Sequence, residues 1–369
     1  MELYGISIVI PTKGRIKLLE ELLKSVYIAR KNFSEESEVI LVDDSDEKDV
    51  IEILKMCDKY SAHKIHYSPS VAEKRNIGAR AAKYDIILYL DSDCIATPDL
   101  LNEHKKLYTN EKVGGVAGLL EFVGKDTALW EIVDKSPYVL SFRMPKWFDE
   151  VPWTPTANFS VRKDVFCLIG GFDRDFPDKP GGEDVDFGLT LTQMGFVIKC
   201  SKNAFVYHSK ETWIPIKDMM KRLWHYGSAN YNLVKKFPDR TYGALPKKPI
   251  IALIVFLVST LMALETPWLL LLFPLWLVID NAFTALMFYR YGNHNNSTAK
   301  QVLGVQLMIC LNESGYIWRC FVKRRIFFVF RDFIYFDHQL EGVSQVGAIS
   351  TWCNFITQLI IFLIIFMVL

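Results

Sequence analysis

The chain contains neither a Gly-x-Gly-x-x-Gly segment nor a Gly-Lys-Ser/Thr loop. The glycine-rich turns on which dinucleotide oxidoreductases and P-loop ATPases cradle phosphate are therefore missing. Its seven cysteines (Cys57, Cys94, Cys167, Cys200, Cys310, Cys320 and Cys353) form no Cys-x-x-Cys pair and have no zinc-like spacing to histidine. That usage fits a reduced, cytosol-facing domain. A formal net charge of +1 gives no electrostatic reason to expect nucleic acid as a partner. The opening MELYGISIVIPTKGR lacks a basic start followed by a long apolar stretch, so no cleavable signal peptide is expected.

What is present divides unevenly along the chain. Residues 1–248 hold 36 Lys and Arg against 36 Asp and Glu, whereas residues 249–369 hold 7 against 6. The first part is long enough for one large α/β domain with a full core. The second carries apolar runs at 250–264, 268–289, 302–318 and 350–369. A span needs about 20 apolar residues, so the first two runs, parted by Glu265, Thr266 and Pro267, read as a helical hairpin at about 250–289. The third holds Asn312, Glu313 and Ser314 and is followed by Arg319, Lys323, Arg324, Arg325 and Arg331. A full crossing would put that basic cluster outside, so this segment reads as re-entrant or interfacial. The run at 350–369 reads as a last span. The domain expectation is a catalytic domain over 1–212, an amphipathic interfacial helix and linker over 213–248, and an α-helical transmembrane region over 249–369, making an integral membrane protein. In the linker, Ile216, Met219, Met220, Leu223, Tyr226, Val234 and Phe237 recur at helical spacing beside Lys217, Lys221, Arg222, Lys235 and Lys236. That helix suits either the headgroup layer or the cover of a core.

In the first part, strands and helices alternate as in a doubly wound, mostly parallel sheet. ISIVI precedes PTKGR and a helix, EVILVDD precedes SDEKD and a helix, KIHYS precedes VAEKRNIGARAAKYD, and IILYL runs into Asp91 and Asp93. In such sheets ligands bind beyond the carboxyl ends of the strands, where Thr12, Asp44, Asp91 and Asp93 fall. Carboxylates two residues apart at a strand's end can hold a hard divalent cation, which in turn holds phosphates. Asp-x-Asp occurs four times, at 44/46, 91/93, 173/175 and 184/186. Of these, the second follows a clean strand and leads into the helix-start residues Thr97, Pro98 and Asp99.

The ordered motifs SIVIPTKGR, VILVDDSD, AEKRNIGARAA, ILYLDSD, TANFSVRKDVFCLIGGFD, GGEDVDFG and FVYHS resemble inverting glycosyltransferases of family 2, with the nucleotide-sugar-binding GT-A fold, over about residues 5–230. The resemblance implies that Pro11, Thr12 and Asp44 cradle the nucleoside. Asp43 is either a structural strand-end carboxylate or a ribose contact. Arg75 reaches the base or diphosphate, Asp93 is the direct metal ligand, and Asp91 meets ribose or, through water, the metal. His208 closes a divalent-cation site for Mn²⁺ or Mg²⁺. Asp184 is the general base, with Glu183 its orienting partner. Two departures stand out. MMKRLWHYG has Met219 and Leu223 where processive members carry the Gln and Trp of Gln-x-x-Arg-Trp, and PTKGR replaces PTYNR. The expectation is transfer of a single sugar, hexosyl in type, from a nucleoside-diphosphate sugar to a lipid or membrane-proximal acceptor. A polyprenyl-phosphate acceptor, for which Asp184 would position rather than deprotonate, and a catalytically silent scaffold or transporter subunit are the alternatives.

Overall fold

A computed structural model describes residues 3–67, 70–176, 181–245, 247–291, 298–336 and 356. The chain forms two compact units, one of residues 1–127 and 137–218 and one of residues 128–136 and 219–369.

The first unit is built on nine strands: β1 (Ile6–Thr12), β2 (Ser37–Asp43), β3 (Ala62–His66), β4 (Ile86–Leu90), β5 (Cys94–Ala96), β6 (Val113–Val123), β7 (Glu150–Val151), β8 (Asn158–Arg162) and β9 (Val197–Ser209). They pair in the order β3-β2-β1-β4-β8-β6-β9-β5, with β7 on β9. The aliphatic runs read from the sequence form the buried centre, since every residue of β1 and β4 is buried. The sheet is parallel from β3 through β1 to β4. Beyond that it is mixed: β8 runs antiparallel to β4 and β6, and β5 antiparallel to β9. The expected mostly parallel sheet is thus half of the observed one, because β8 turns the chain back.

The helices of this unit are α1 (Ile16–Lys31), α2 (Glu47–Tyr60), α3 (Val71–Ala81) and α4 (Leu100–Lys105). In α1 the buried residues Leu19, Leu22, Leu23, Val26 and Ala29 recur at helical spacing. Ser70 caps α3 by accepting from the Glu73 N–H at 3.4 Å. Helix α3 lies directly on β1 and β2, and a Cβ on Gly78 would come within 2.3 Å of Val9 Cγ1. Gly78→Ala is expected to destabilise by about 1–3 kcal/mol through overpacking, although alanine is the better helix former by about 1 kcal/mol. A urea titration checks this, and a stabilised variant would contradict the close packing.

Helix α5 (Ala128–Asp134) belongs to the second unit, whereas α6 (Lys163–Ile169) and α7 (Glu183–Gln193) belong to the first. A buried network fastens the middle of the sheet. His104 Nδ1 lies 2.9 Å from Ser160 Oγ and its Nε2 2.9 Å from Asn158 Oδ1, while the Asn158 amide donates to the Leu119 and Ala204 carbonyls. Desolvation pushes the His104 pKa down to about 4, so this imidazole is a neutral core residue.

The second unit contains α8 (Ile216–Lys236, its first residues in the other unit), α9 (Lys248–Ala263), α10 (Leu272–Tyr291) and α11 (Ala299–Val322), with a short antiparallel pair, β10 (Thr241–Gly243) and β11 (Arg331–Phe333). These helices correct the transmembrane reading. Among the described residues no helix is long and apolar enough to cross a membrane, so neither an α-helical transmembrane region nor an integral membrane protein is supported. Helix α9 has 16 residues, about 24 Å at 1.5 Å per residue against a hydrocarbon core of about 30 Å. Helix α10 carries Asp280 and Asn281 in its middle.

Several polar residues within these apolar runs have protein partners instead. Lys248 Nζ reaches Asp280 Oδ2 at 3.1 Å and Gln306 Oε1 at 2.7 Å, and the Lys248 N–H donates to Glu313 at 2.9 Å. The Asn312 amide donates to the Leu223 carbonyl at 3.2 Å. Small residues let α8 and α11 touch backbone to backbone, since a Cβ on Gly227 would overlap the Asn312 carbonyl and one on Gly315 the Trp224 carbonyl. In the polar middle of 302–318, Asn312 is buried, and Glu313 and Ser314 are half-buried. The expected last span at 350–369 lies outside the described residues except for residue 356.

Candidate active site

Strand β4 ends at Leu90, and the chain passes through Asp91, Ser92 and Asp93 before β5 pairs with β9. That antiparallel register sets Cys94 opposite His208. Asp93 and His208, 115 positions apart, thereby meet, with His208 Nε2 3.3 Å from Asp93 Oδ1. Both residues are 4% exposed. His208 Nδ1 lies 3.1 Å from the Ser209 carbonyl, which can only accept. A carboxylate and an imidazole converging in a buried place are ligand types that a divalent cation takes, so these residues fit one. Cys94 Sγ belongs to the same cluster, in which the three ligand atoms lie within 4.8 Å of one another. Its thiol donates to the Ala157 carbonyl at 3.7 Å, and burial raises its pKa well above the ordinary value. Rings of Phe122 and Phe142 flank the imidazole at 5.2 and 6.2 Å.

Asp91 turns elsewhere. Its Oδ1 lies 3.5 Å from Arg75 Nη2, while Arg75 Nη1 donates to Glu183 Oε1 at 2.7 Å. Arg75 is 3% exposed and lies over the Phe172 ring at 5.7 Å. The guanidinium thus joins the end of β4 to the first turn of α7. Gly181 and Gly182, with φ of 154° and 84°, make the turn into that helix, and the Gly181 N–H donates to Glu183 Oε2 at 2.7 Å. A conformation that side chains rarely adopt is why glycines stand there. Asp184 accepts from the Val185 N–H at 2.9 Å. Burial, reinforced by the neighbouring Glu183 and opposed by Arg75, pushes its pKa up to about 7.

The other candidates sit at the ends of β1 and β2, where Thr12 is paired with Asp43. Asp43 is fully buried: one oxygen accepts from the Ser45 N–H at 3.0 Å and the other lies 3.2 Å from Lys64 Nζ. Of its two readings, this geometry favours the strand-end carboxylate. Asp44 is held between two ammonium groups, Lys74 on Oδ1 and Lys13 on Oδ2 at 3.2 Å. Lys74 also donates to the Thr12 carbonyl at 2.8 Å. Pro11 precedes Thr12 in β1, and the Thr12 hydroxyl is buried with no hydrogen-bond partner among the described residues. An orphaned hydroxyl beside Asp44 suits a ligand's polar edge.

Lys13 stood out in sequence only as a departure from PTYNR, and Arg15 and Lys74 did not stand out at all. Arg15 Nη1 donates to Asp93 Oδ2 at 3.0 Å. The available signal was a run of cations directly after a strand whose end faces acidic loops.

Residues 7–171 match the family model described as "Glycosyl transferase family 2". Chondroitin synthase of Escherichia coli is 27% identical over 242 residues, covering 56% of this chain and 35% of that protein. Validoxylamine A glucosyltransferase of Streptomyces hygroscopicus subsp. jinggangensis is 25% identical over 54% of each chain. Pre-mycofactocin glycosyltransferase of Mycobacterium tuberculosis is 27% identical over 64% of this chain and 49% of that protein. The chain thus spans about a third to a half of the length of these relatives. Among solved structures, a mannosyltransferase from Pyrobaculum calidifontis, in complex with GDP-Man and Mn²⁺, superposes with a TM-score of 0.56 at 16% identity, covering 86% of this chain and 88% of that one. That likeness shows a shared fold, the GT-A type. With an acidic strand end on a GT-A sheet and the family model spanning β1 to the end of α6, this part of the chain is similar to the glycosyltransferases of family 2.

Proposed function

We propose that this protein transfers a single sugar from a nucleoside-diphosphate sugar to an acceptor hydroxyl, with inversion at the anomeric carbon. The meeting of Asp93 and His208 carries the reading, because a buried carboxylate oxygen and an imidazole nitrogen 3.3 Å apart are ligand types that a divalent cation takes. Asp93 and His208 would hold Mn²⁺ or Mg²⁺, with Asp91 close by. A divalent ion bound there offsets charge developing on the leaving diphosphate. Thr12 and Asp44 receive the nucleoside. Asp184 takes the proton of the acceptor hydroxyl as its oxygen attacks from the face opposite the diphosphate. Arg75 orients Glu183 and Asp91 on either side of the reacting centre. The lipid or membrane-proximal acceptor expected from sequence leaned on membrane spans; no described helix is long and apolar enough to be one, and a hydroxyl acceptor is the class proposed.

Thermal melting against a panel of nucleoside-diphosphate sugars tests this, since a ligand bound only to the folded form raises Tm. One donor is expected to raise Tm by several degrees with Mn²⁺ and little without it. Asp93→Ala is expected to abolish the metal-dependent part. No stabilisation by any donor, or metal dependence that survives Asp93→Ala, would overturn the assignment.

A further inference from the structure

Arg15 pairs with the carboxylate that the proposed cation would use. Its Nη1 donates at 3.0 Å to Asp93 Oδ2, and the other oxygen of that carboxylate faces His208. The Asp93 side chain is 4% exposed and that of Arg15 46%, so the guanidinium reaches in from the surface. It can leave without unpacking the core.

Its backbone is independent of that contact. Arg15 sits at φ 57° and ψ 42°, left-handed, directly after Gly14 at φ 60°. A non-glycine residue pays about 1–2 kcal/mol for that conformation. Such outliers persist where position matters more than local energy. Arg15 immediately precedes α1, and its carbonyl accepts the first helical bond, from the Leu19 N–H at 3.0 Å.

We propose that Arg15 is an internal stand-in for the divalent ion: it neutralises Asp93 while the donor site is empty and yields when metal and nucleotide enter together. The proposal rests on the metal reading given above. A protein built this way binds free metal weakly, because the ion must displace a guanidinium already bonded to its ligand. The displaced guanidinium then has the arriving diphosphate as a bidentate partner.

The test is Mn²⁺ binding, followed by electron paramagnetic resonance of the free ion, on the full chain without nucleotide. Arg15→Met is expected to bind Mn²⁺ about fivefold to tenfold more tightly than the parent, the scale of removing one competing charge at close range. Lys17→Met removes the same charge two residues away on an exposed position, and its affinity is expected to stay within about twofold of the parent. UDP or GDP binding with saturating Mn²⁺ is expected to weaken in Arg15→Met. Equal or weaker Mn²⁺ binding by Arg15→Met, or an equal gain in Lys17→Met, overturns the proposal. Adding Asp93→Asn separates the two ideas. Mn²⁺ binding that persists without Asp93 defeats the metal reading, whereas Asp93-dependent binding indifferent to residue 15 defeats the stand-in alone.

Discussion

Asp184→Asn is expected to lower kcat by about 10²–10⁴-fold, the usual contribution of a positioned general base, with donor affinity little changed. The amide keeps the shape and can still accept from the Val185 N–H, but it cannot take a proton. The carboxyl also sets the pH profile. Its ordinary value is 3.8, and burial beside Glu183 pushes it up to about 7. A general base works only when deprotonated, so the rate is expected to fall as pH drops through about 7, approaching tenfold per pH unit below it. Stability has the opposite sign. Between the unfolded and folded values the native protein binds a proton that the unfolded chain has released, so stability falls as pH rises from about 4 to 7. Asp184→Asn is expected to remove both the acidic limb of the rate profile and that slope. Initial rates and thermal melts across pH 5–9 measure them. A variant retaining a tenth of parental activity would show that another group takes the proton.

Arg75→Met is expected to cost about 3 kcal/mol, at the low end of what removing one partner of a buried ion pair does. Glu183, with a side chain 4% exposed, would keep its charge without the guanidinium that compensates it. Asp91, at 33%, is eased by water and adds less. In a unit of this size the loss corresponds to a fall in Tm of about 6–12 °C. Arg75→Lys restores a charge but not the fork that spans Glu183 and Asp91. It is expected to recover much of the Tm and little of the activity. This split separates a positioning role from a merely structural one, for which both would recover together. Melting of Arg75→Met within about 2 °C of the parent would show that these ion pairs hold nothing in place.

Much of the site was legible because strand ends are local. A run such as IILYL must be buried, and the polar residues after it must emerge at an edge. Asp44, Asp91 and Asp93 were identified in this way, and Thr12 with them. Their partners were not, because a side chain's neighbours across space leave no trace in its own periodicity. Arg75 meets Glu183 across 108 positions and Lys74 meets Asp44 across 30. Those pairings follow from how α3 lies against β1 and β2, which sequence spacing does not encode. The histidine was found through its resemblance to a family motif; the register of β5 on β9 delivers it to Asp93.

The membrane reading failed for a related reason. Apolar runs at 250–264 and 268–289 were weighed one segment at a time, and a single segment with one carboxylate resembles an imperfect span. Folded together, Lys248, Asp280, Gln306 and Glu313 satisfy one another.

The amino-acid order alone determined the α/β character of the first 212 residues, the strand identities in its parallel half and the acidic edge that marks the site. Those features depend on burial and on neighbours a few residues away, which one dimension records. Tertiary structure decided the reversal of the sheet at β8, the cation beside each carboxylate, and the pairing of polar groups among the C-terminal helices. Each of these is a contact between distant positions, settled by which packing leaves fewest buried charges without a partner.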